Sequence, residues 1–201
     1  MFKVTMYLIQ RALLLLSSLF LTMYYRILMK AIGVEGRRIK FQGRISIYAY
    51  PGSSLYLGSN SEIRSNNSGW GGMRCGKTIF QLFTANSIIK FGDNVQINGT
   101  EFYCRSTSIT VGNEVMFAPG CLIMDTDFHA ADSAGHMKSS GLSRDKAVFI
   151  GDNVWIGVNS TVMKGAVINN NVVVGSNSLV NKELESGWIY AGIPCKKVKK
   201  L

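Results

Sequence analysis

The feature that most constrains the fold is a run of six-residue units, which divides the chain without remainder from Ile150 to Leu179. An aliphatic residue opens every unit, and a small or β-branched residue occupies every fifth place. The openers are Ile150, Ile156, Val162, Ile168, Val174 and Val180, and the fifth places hold Val154, Ser160, Ala166, Val172 and Ser178. Neither an α-helix nor a simply alternating strand has this period. A short fixed period predicts a solenoid, in which three units form one triangular coil and the opener points inward.

The same frame recurs upstream in weaker form. It opens at Leu57, Phe91, Ile97, Val111 and Phe117. Two stretches interrupt it: one rich in Asn, Gly and Ser between residues 64 and 77, and a polar one at 130–147. Long loops in a compact solenoid are usually functional. The frame ends after Asn181, so we expect a β-helix over residues 36–182 with an inserted loop at 130–147, and a C-terminal cap with a basic tail over 183–201.

The first 35 residues form a separate apolar segment. Residues 12–25 carry no charge and lie between Arg11 and Arg26, but a membrane span needs about 20 apolar residues. A signal peptide lacks a small-x-small cleavage site here. The other interpretations are a helix on the inner membrane face and a helix packed on its own domain or on a sister subunit. We favour the membrane face, because the run is apolar on all sides and Tyr24 and Tyr25 suit an interface.

The charge of the chain supports the same interpretation. The formal net charge is +10, which favours anionic partners. A basic collar follows the apolar run: Arg26, Lys30, Arg37, Arg38, Lys40 and Arg44. No nucleic-acid-binding motif accompanies the charge, so we expect no nucleic-acid partner. Basic residues beside an apolar run indicate a cytoplasmic protein attached peripherally to the inner face of the membrane.

The repeat and three motifs resemble the hexapeptide-repeat acyltransferase superfamily. The motifs are IGDNVWIG at 150–157, DTDFH at 125–129 and AGIPCKKVKK at 191–200. The similarity is greatest to the maltose and galactoside O-acetyltransferases and to the capsule and exopolysaccharide O-acetyltransferases. It implies an all-β fold, namely a left-handed parallel β-helix with an apolar N-terminal helix and a short C-terminal cap. It also implies a homotrimer with active sites between subunits. Ordinary crossover rules favour the right hand, so the left hand rests on the resemblance alone.

Acyl transfer from a thioester requires a base that takes the proton of the acceptor hydroxyl, and a neutral imidazole suits that task. The chain has two histidines. His129 ends a coil, follows two carboxylates and opens the polar loop, and the resemblance places the catalytic histidine at this position. Asp127 or Asp125 could orient the imidazole, and we favour Asp127. His136 lies inside the loop without nearby acids.

The resemblance also indicates how acetyl-CoA and the acceptor are bound. It places the pantetheine arm along a groove between two β-helices and the phosphates near basic residues of the cap. The residues that match these positions are Trp155, Gly157, Ser160, Gly175, Ser176, Lys182, Lys196 and Lys199. For the acceptor we expect Asn98, Arg105 and Asp125. Arg105 stands where the sugar acetyltransferases carry an acidic pair, which favours an acidic acceptor. No metal is expected.

These observations predict an acetyl-CoA-dependent O-acetyltransferase that acts on a saccharide hydroxyl, with a lipid-linked or polymeric saccharide as acceptor. Two alternatives remain open. One is an acyltransferase for a small amino sugar or a drug. The other is a β-helix scaffold without catalysis, against which the intact DTDFH motif argues.

Overall fold

A computed structural model describes residues 2–31, 36–65, 76–131, 137–139, 141 and 144–201. His136, part of the predicted loop 130–147 and most of the interruption between residues 64 and 77 lie outside this described part.

Twenty of the strands form three sheets, which are the faces of a triangular β-helix, and all of these strands run parallel except β22, the last strand of face 1. Face 1 contains β1 (Lys40–Gln42), β4 (Glu62–Arg64), β7 (Gln96–Asn98), β10 (Met116–Phe117), β15 (Val154–Ile156), β18 (Val172–Val174), β21 (Trp188–Ala191) and β22 (Lys196–Lys200). Face 2 contains β2 (Ser46–Ala49), β5 (Ile79–Leu82), β8 (Glu101–Cys104), β11 (Leu122–Met124), β16 (Thr161–Val162) and β19 (Leu179–Val180). Face 3 contains β3 (Ser54–Tyr56), β6 (Ile88–Phe91), β9 (Ser108–Val111), β14 (Val148–Ile150), β17 (Val167–Ile168) and β20 (Glu183–Leu184).

The hexapeptide period explains the core. All six predicted openers are at most 1% exposed, and all five fifth-place residues are at most 2% exposed. Three units complete one coil, so residues in neighbouring coils pair side by side, as Val154 does with Val172. In the upstream coils the interior is aromatic, where Phe102 stacks on Phe80 and meets Phe117 edge to face. The predicted inward orientation of the repeat is therefore confirmed.

The corners between face 3 and face 1 are stabilised by a ladder of Asn and Asp side chains. The Asn113 amide oxygen accepts from the Asp93 backbone N–H at 2.8 Å, Asp152 accepts from the Asn113 N–H at 2.7 Å, and Asn170 accepts from the Asp152 N–H at 2.8 Å. Coils approach so closely here that a Cβ on Gly112 would lie 2.8 Å from the carbonyl carbon of Gly151. The sequence signature of this corner is Gly followed by Asp or Asn.

The N-terminal end of the β-helix is covered by one helix, α1 (Phe2–Ala31). Its Ser18 and Thr22 hydroxyls donate to the Phe41 carbonyl at 3.1 and 3.4 Å, and Thr22 accepts from the Phe41 N–H. The Tyr25 hydroxyl donates to the Ile45 carbonyl and accepts from its N–H. These side chains satisfy backbone groups that the first coil would otherwise leave unpaired. In the part of the chain that the structure describes, no helix combines the length and apolarity that a membrane crossing requires.

The C-terminal end is covered differently. Strand β21 adds to face 1, and β22 returns antiparallel beside it. The Lys197 ammonium lies 4.6 Å from the centre of the Trp188 ring. Every side chain of β22 is exposed, and four of its five residues are lysines. A charged edge of this kind discourages further strand addition. The basic tail is thus an ordered strand that terminates the solenoid.

One corner between face 2 and face 3 is replaced by a long insertion. It contains an antiparallel hairpin of β12 (His129–Ala131) and β13 (Met137–Ser139), where the sequence predicted an irregular loop. The Lys146 N–H donates to the Asp125 carbonyl at 2.9 Å and closes the base of the insertion. We call residues 125–147 the His129 loop.

Adjacent isoleucines of β6 test the inward and outward alternation. Ile89 is fully buried, whereas Ile88 is 41% exposed. We expect Ile89→Ala to lower the free energy of unfolding by about 2–5 kcal/mol, because it leaves a cavity. Ile88→Ala is the matched control and should cost well under half as much. Urea denaturation measures both, and equal losses would contradict the assigned strand orientation.

Candidate functional site

His129 is presented to solvent at the point where the chain leaves the β-helix. Its residue is exposed, and its backbone N–H donates to the Asp127 carbonyl at 2.6 Å. The preceding Phe128 has φ of 57°, a left-handed conformation that is rare for a large side chain. No described residue forms a side-chain hydrogen bond with the imidazole. Both ring nitrogens are therefore available to a ligand.

Asp127 is the residue that the sequence suggested would orient His129, and the structure gives its carboxylate another partner. Its carboxylate instead forms an ion pair with Lys164, whose ammonium also donates to the Arg144 carbonyl at 3.2 Å. The positive charge of Lys164 offers the carboxylate a stronger partner than a neutral imidazole does. Asp127 thus ties its turn to the next coil.

Asp125 is fully buried and accepts hydrogen bonds from the backbone. The sequence predicted that it contacts the acceptor, but in this structure none of its atoms is exposed for such a contact. Its Oδ1 accepts from the Arg105 N–H at 2.7 Å. Its Oδ2 accepts from the Thr107 N–H and hydroxyl, both at 2.9 Å, and from the Ser106 N–H at 3.2 Å. A short carboxylate inside a turn commonly takes this role. The side chain holds the neighbouring corner together.

Arg105, which was predicted to bind the acceptor, is engaged within the chain. Its side chain is 9% exposed and forms a two-pronged ion pair with Asp145, with Nε–Oδ2 at 2.8 Å and Nη2–Oδ1 at 2.6 Å. Burial tends to raise the pKa of Asp145, but hydrogen bonds from Arg105, Ser106 and Thr126 outweigh it and lower the pKa. An arginine satisfied in this way has its charge compensated within the chain.

Four of the predicted binding residues meet in one groove on face 1, with a volume of about 640 Å³. They are Asn98, Trp155, Gly157 and Ser176. The Trp155 side chain is 52% exposed, which no requirement of the core explains. A Cβ on Gly157 would lie 2.6 Å from the Ser176 backbone nitrogen, so the glycine permits the close approach of two coils. The groove thus combines an aromatic surface with polar groups, as binding sites do.

The remaining predicted cofactor residues are Ser160, the partly buried Gly175 and three lysines. Ser160 is fully buried and donates to the Gly175 carbonyl at 2.9 Å, so its hydroxyl serves the fold. Lys182, Lys196 and Lys199 are exposed at the C-terminal end.

An aromatic cluster that the sequence pattern did not indicate lies beside His129. The rings of Phe83 and Phe128 lie 5.1 Å apart in an edge-to-face contact, and Tyr103 lies 6.3 Å from Phe83. Tyr103 donates to Glu101 at 2.5 Å, and this hydrogen bond, with burial, raises its pKa to about 12. The repeat frame could have placed Tyr103 on the outside of β8. Its contact with Phe83 could not be predicted, because it depends on how neighbouring coils align.

The buried thiols take no part in this site. Burial raises the pKa of Cys121 to about 12, and burial together with Asp125 does the same for Cys104. Both thiols therefore stay protonated at neutral pH and are poor nucleophiles.

Within one chain the groove and His129 occupy different parts of the surface. The groove lies on face 1 and on the corner that leads to face 2, whereas the His129 loop replaces a corner between face 2 and face 3. His129 is not among the residues that line the groove.

The comparisons with known proteins agree with the fold and with the repeat. The sequence model of the family "Bacterial transferase hexapeptide (six repeats)" matches residues 147–182. AntD, an N-acyltransferase from Bacillus cereus whose crystal structure contains dTDP and 3-hydroxybutyryl-CoA, superposes with a TM-score of 0.62 at 20% identity, over 87% of each chain. The predicted class, a left-handed parallel β-helix with an N-terminal helix and a C-terminal cap, is confirmed.

Two curated relatives are similar in sequence. WbbJ of Escherichia coli K12, provisionally named a lipopolysaccharide biosynthesis O-acetyl transferase, is 35% identical over 56% of this chain and 61% of its own length. A galactoside O-acetyltransferase of Lactococcus lactis is 34% identical over 56% of this chain and 53% of its own. The predicted resemblance to hexapeptide-repeat O-acetyltransferases is confirmed. The chain spans less than two thirds of the length of either relative.

Two serines separate a role in the fold from a role in the groove. Ser160→Ala removes a buried hydroxyl that bonds Gly175 and the Ser178 N–H, so we expect a loss of about 1–3 kcal/mol in the free energy of unfolding. Ser176→Ala, at an exposed position of the groove, should leave that free energy unchanged. Chemical denaturation measures the free energy of unfolding of both variants. If Ser160→Ala were as stable as the unaltered protein, the structural role of this hydroxyl would be refuted.

Proposed function

We propose that this chain is an acetyl-CoA-dependent O-acetyltransferase that transfers the acetyl group directly to a saccharide hydroxyl, with His129 as general base. The observation that carries the proposal is the 34–35% identity to two proteins named as O-acetyltransferases. The exposed histidine and the aromatic groove supply groups that such a reaction needs.

His129 has the freedom that a general base requires. An acceptor hydroxyl attacks the thioester carbonyl while one imidazole nitrogen takes its proton. The tetrahedral adduct then collapses, the carbon–sulfur bond breaks, and the imidazolium returns the proton to the leaving thiolate. Because Asp127 is paired with Lys164, we assign no carboxylate to the second nitrogen of the ring. Backbone N–H groups would stabilise the developing oxyanion.

The groove on face 1 fits the elongated arm of coenzyme A. Trp155 offers an aromatic surface, Ser176 offers an exposed hydroxyl, and Gly157 lets the two coils that carry them approach closely. The exposed lysines at positions 182, 196 and 199 supply positive charge at the C-terminal end of the β-helix, which the groove reaches at Leu201, and this charge suits the phosphates.

A homotrimer would bring the two halves of the site together. His129 and the groove lie on different edges of one chain, so the His129 loop of one copy would have to face the groove of another. A closed ring of three copies repeats that contact three times and leaves no half-site unused.

The acceptor that suits this site is a lipid-linked or polymeric surface saccharide. The partly exposed rings of Phe83, Tyr103 and Phe128 offer flat apolar surfaces beside His129, and sugar rings present flat apolar faces of their own. Because Arg105 is paired with Asp145, an acidic group on the acceptor is no longer part of the proposal.

The exterior of α1 supports peripheral attachment to the inner face of the membrane. Its inward residues contact the first coil. The opposite side of the helix exposes four large apolar residues, each with an exposed fraction of at least 63%: Leu16, Leu19, Phe20 and Ile27. The exposed Arg26, Arg37, Arg38 and Arg44 lie nearby in the chain, and none forms an ion pair with a described residue. Apolar area flanked by unpaired cations is the pattern that binds anionic lipid.

Replacement of the histidine tests the base. We expect His129→Ala to lower saccharide-dependent release of thiol from acetyl-CoA by about 10²–10⁴-fold, because general base catalysis contributes that much. His136→Ala removes the other histidine and should retain activity. Undiminished release by His129→Ala would refute the assignment. If the unaltered protein acetylated small soluble amino sugars as fast as polymeric or lipid-linked saccharides, the alternative acceptor class of small amino sugars would be favoured.

Sedimentation with lipid vesicles tests the attachment. The full chain should bind vesicles that contain phosphatidylglycerol and bind much less to pure phosphatidylcholine or at high salt. Leu19→Asp should weaken binding, because it places a charge in the apolar face. Ile193→Asp is a matched control, since Ile193 is 74% exposed at the opposite end. Binding that survives Leu19→Asp would contradict attachment through α1, and a change in oligomeric state instead would assign that face to a neighbouring subunit.

A further inference from the structure

The Arg105–Asp145 ion pair is unusual for a β-helix corner. Both side chains are nearly or fully buried, at 9% and 0% exposure. Burying two charges is costly, and replacement by apolar side chains is often neutral or stabilising. The pair is thus poorly explained by stability alone.

The Arg105 guanidinium contacts both stems of the His129 loop, which are the outgoing stem that leaves the β-helix at residues 125–131 and the returning stem that rejoins it between residues 141 and 147. Nη1 donates to the Phe128 carbonyl at 3.4 Å, next to His129, and Nη2 donates to the Gly141 carbonyl at 3.2 Å on the returning stem. Asp145, which accepts the two shorter hydrogen bonds from Arg105, lies two residues before the end of the loop. One side chain rooted in face 2 therefore joins the outgoing stem to the returning stem.

The outgoing stem is strained where Arg105 holds it. Phe128 adopts φ of 57°, a conformation that costs free energy for a residue with a Cβ and persists only where neighbours hold it. The Arg105 guanidinium lies 5.9 Å from the centre of the Phe128 ring, and the Thr126 hydroxyl accepts from the Phe128 N–H at 3.0 Å. These contacts fix the direction in which the chain enters His129.

Asp145 is anchored from the coil as well. The Ser106 hydroxyl donates to its Oδ2 at 2.6 Å. The backbone of Arg105 is fixed in turn, because its N–H donates to Asp125 and its carbonyl accepts from Thr84 and Ser87. The returning stem is therefore attached to a rigid corner at two adjacent positions.

We propose that Arg105 and Asp145 are positioning residues, which hold the two stems of the His129 loop so that the imidazole is presented in one fixed place. This inference rests on the proposed role of His129 in catalysis. It gives Arg105 a function in the reaction without contact to the substrate.

Two variants and one control test the proposal in the full-length protein. Asp145→Asn keeps the shape but removes the charge partner of Arg105. Arg105→Lys keeps the charge but lacks the fork that reaches Phe128 and Gly141 together. Glu185→Gln is the control, since it breaks the exposed ion pair with Lys197 in the cap and touches no part of the loop.

In both loop variants we expect kcat to fall about 10–100-fold, because small misplacement of a catalytic group has effects of this size. The KM for acetyl-CoA should not change, because no groove residue is altered. Glu185→Gln should behave as the unaltered protein. In hydrogen–deuterium exchange, the backbone of residues 125–131 should exchange faster, whereas that of residues 108–117 should not.

The proposal is overturned if folded Asp145→Asn and Arg105→Lys proteins keep full kcat, or if the coils exchange as fast as the loop, which would indicate a general loss of stability. A different result would separate the two proposals. If the unaltered protein showed no acetyl transfer but the variants exchanged faster only in the loop, Arg105 and Asp145 would still hold the loop, and the proposed function would be refuted.

Discussion

Lateral stacking of inward side chains is the constraint on which this structure depends. A coil of three hexapeptides cannot bury its own interior, and each coil gains a core only from the coil above and the coil below. Within the repeat the ladders pair an opener with the opener one turn later, as Ile150 with Ile168. Two consequences follow. The corners admit only small residues and tight turns, and both ends of the stack expose unpaired edges that other segments must cover.

The two ends solve this problem with opposite chemistry. At the N-terminal end, α1 turns its hydroxyl groups inward to satisfy the first coil and leaves its apolar side outward. Its inward side is mixed, because Met29 is buried and Leu21 and Leu28 pack against the core beside these hydroxyl groups. At the C-terminal end, β22 adds a lysine-rich edge. One helix thus satisfies the open edge of the first coil with hydroxyl groups, extends the core with apolar side chains, and exposes further apolar side chains on its other side.

The repeat could be predicted from sequence because its rule is local: six positions decide which side chain faces the interior, and Ala166 or Val172 shows it without reference to any partner. The site could be predicted only in part. The groove residues follow from the repeat frame, as Trp155 and Gly157 do. The partners of charged groups could not be predicted, because Arg105 meets Asp145 and Asp127 meets Lys164 across an insertion whose path the sequence does not specify. The polar stripe of α1 was missed because the composition of the helix is apolar throughout.

We propose that the histidine at the edge of one copy acts on a thioester held in the groove of another copy. Mixed oligomers test it most directly. One variant lacks the base, His129→Ala, and the other fills the groove, Ser176→Trp. We expect each variant to be inactive alone. Acetyl transfer should return when the two are co-expressed and purified as mixed oligomers, because some interfaces then combine an intact histidine with an intact groove. Mixed oligomers that assemble normally and remain inactive would contradict it.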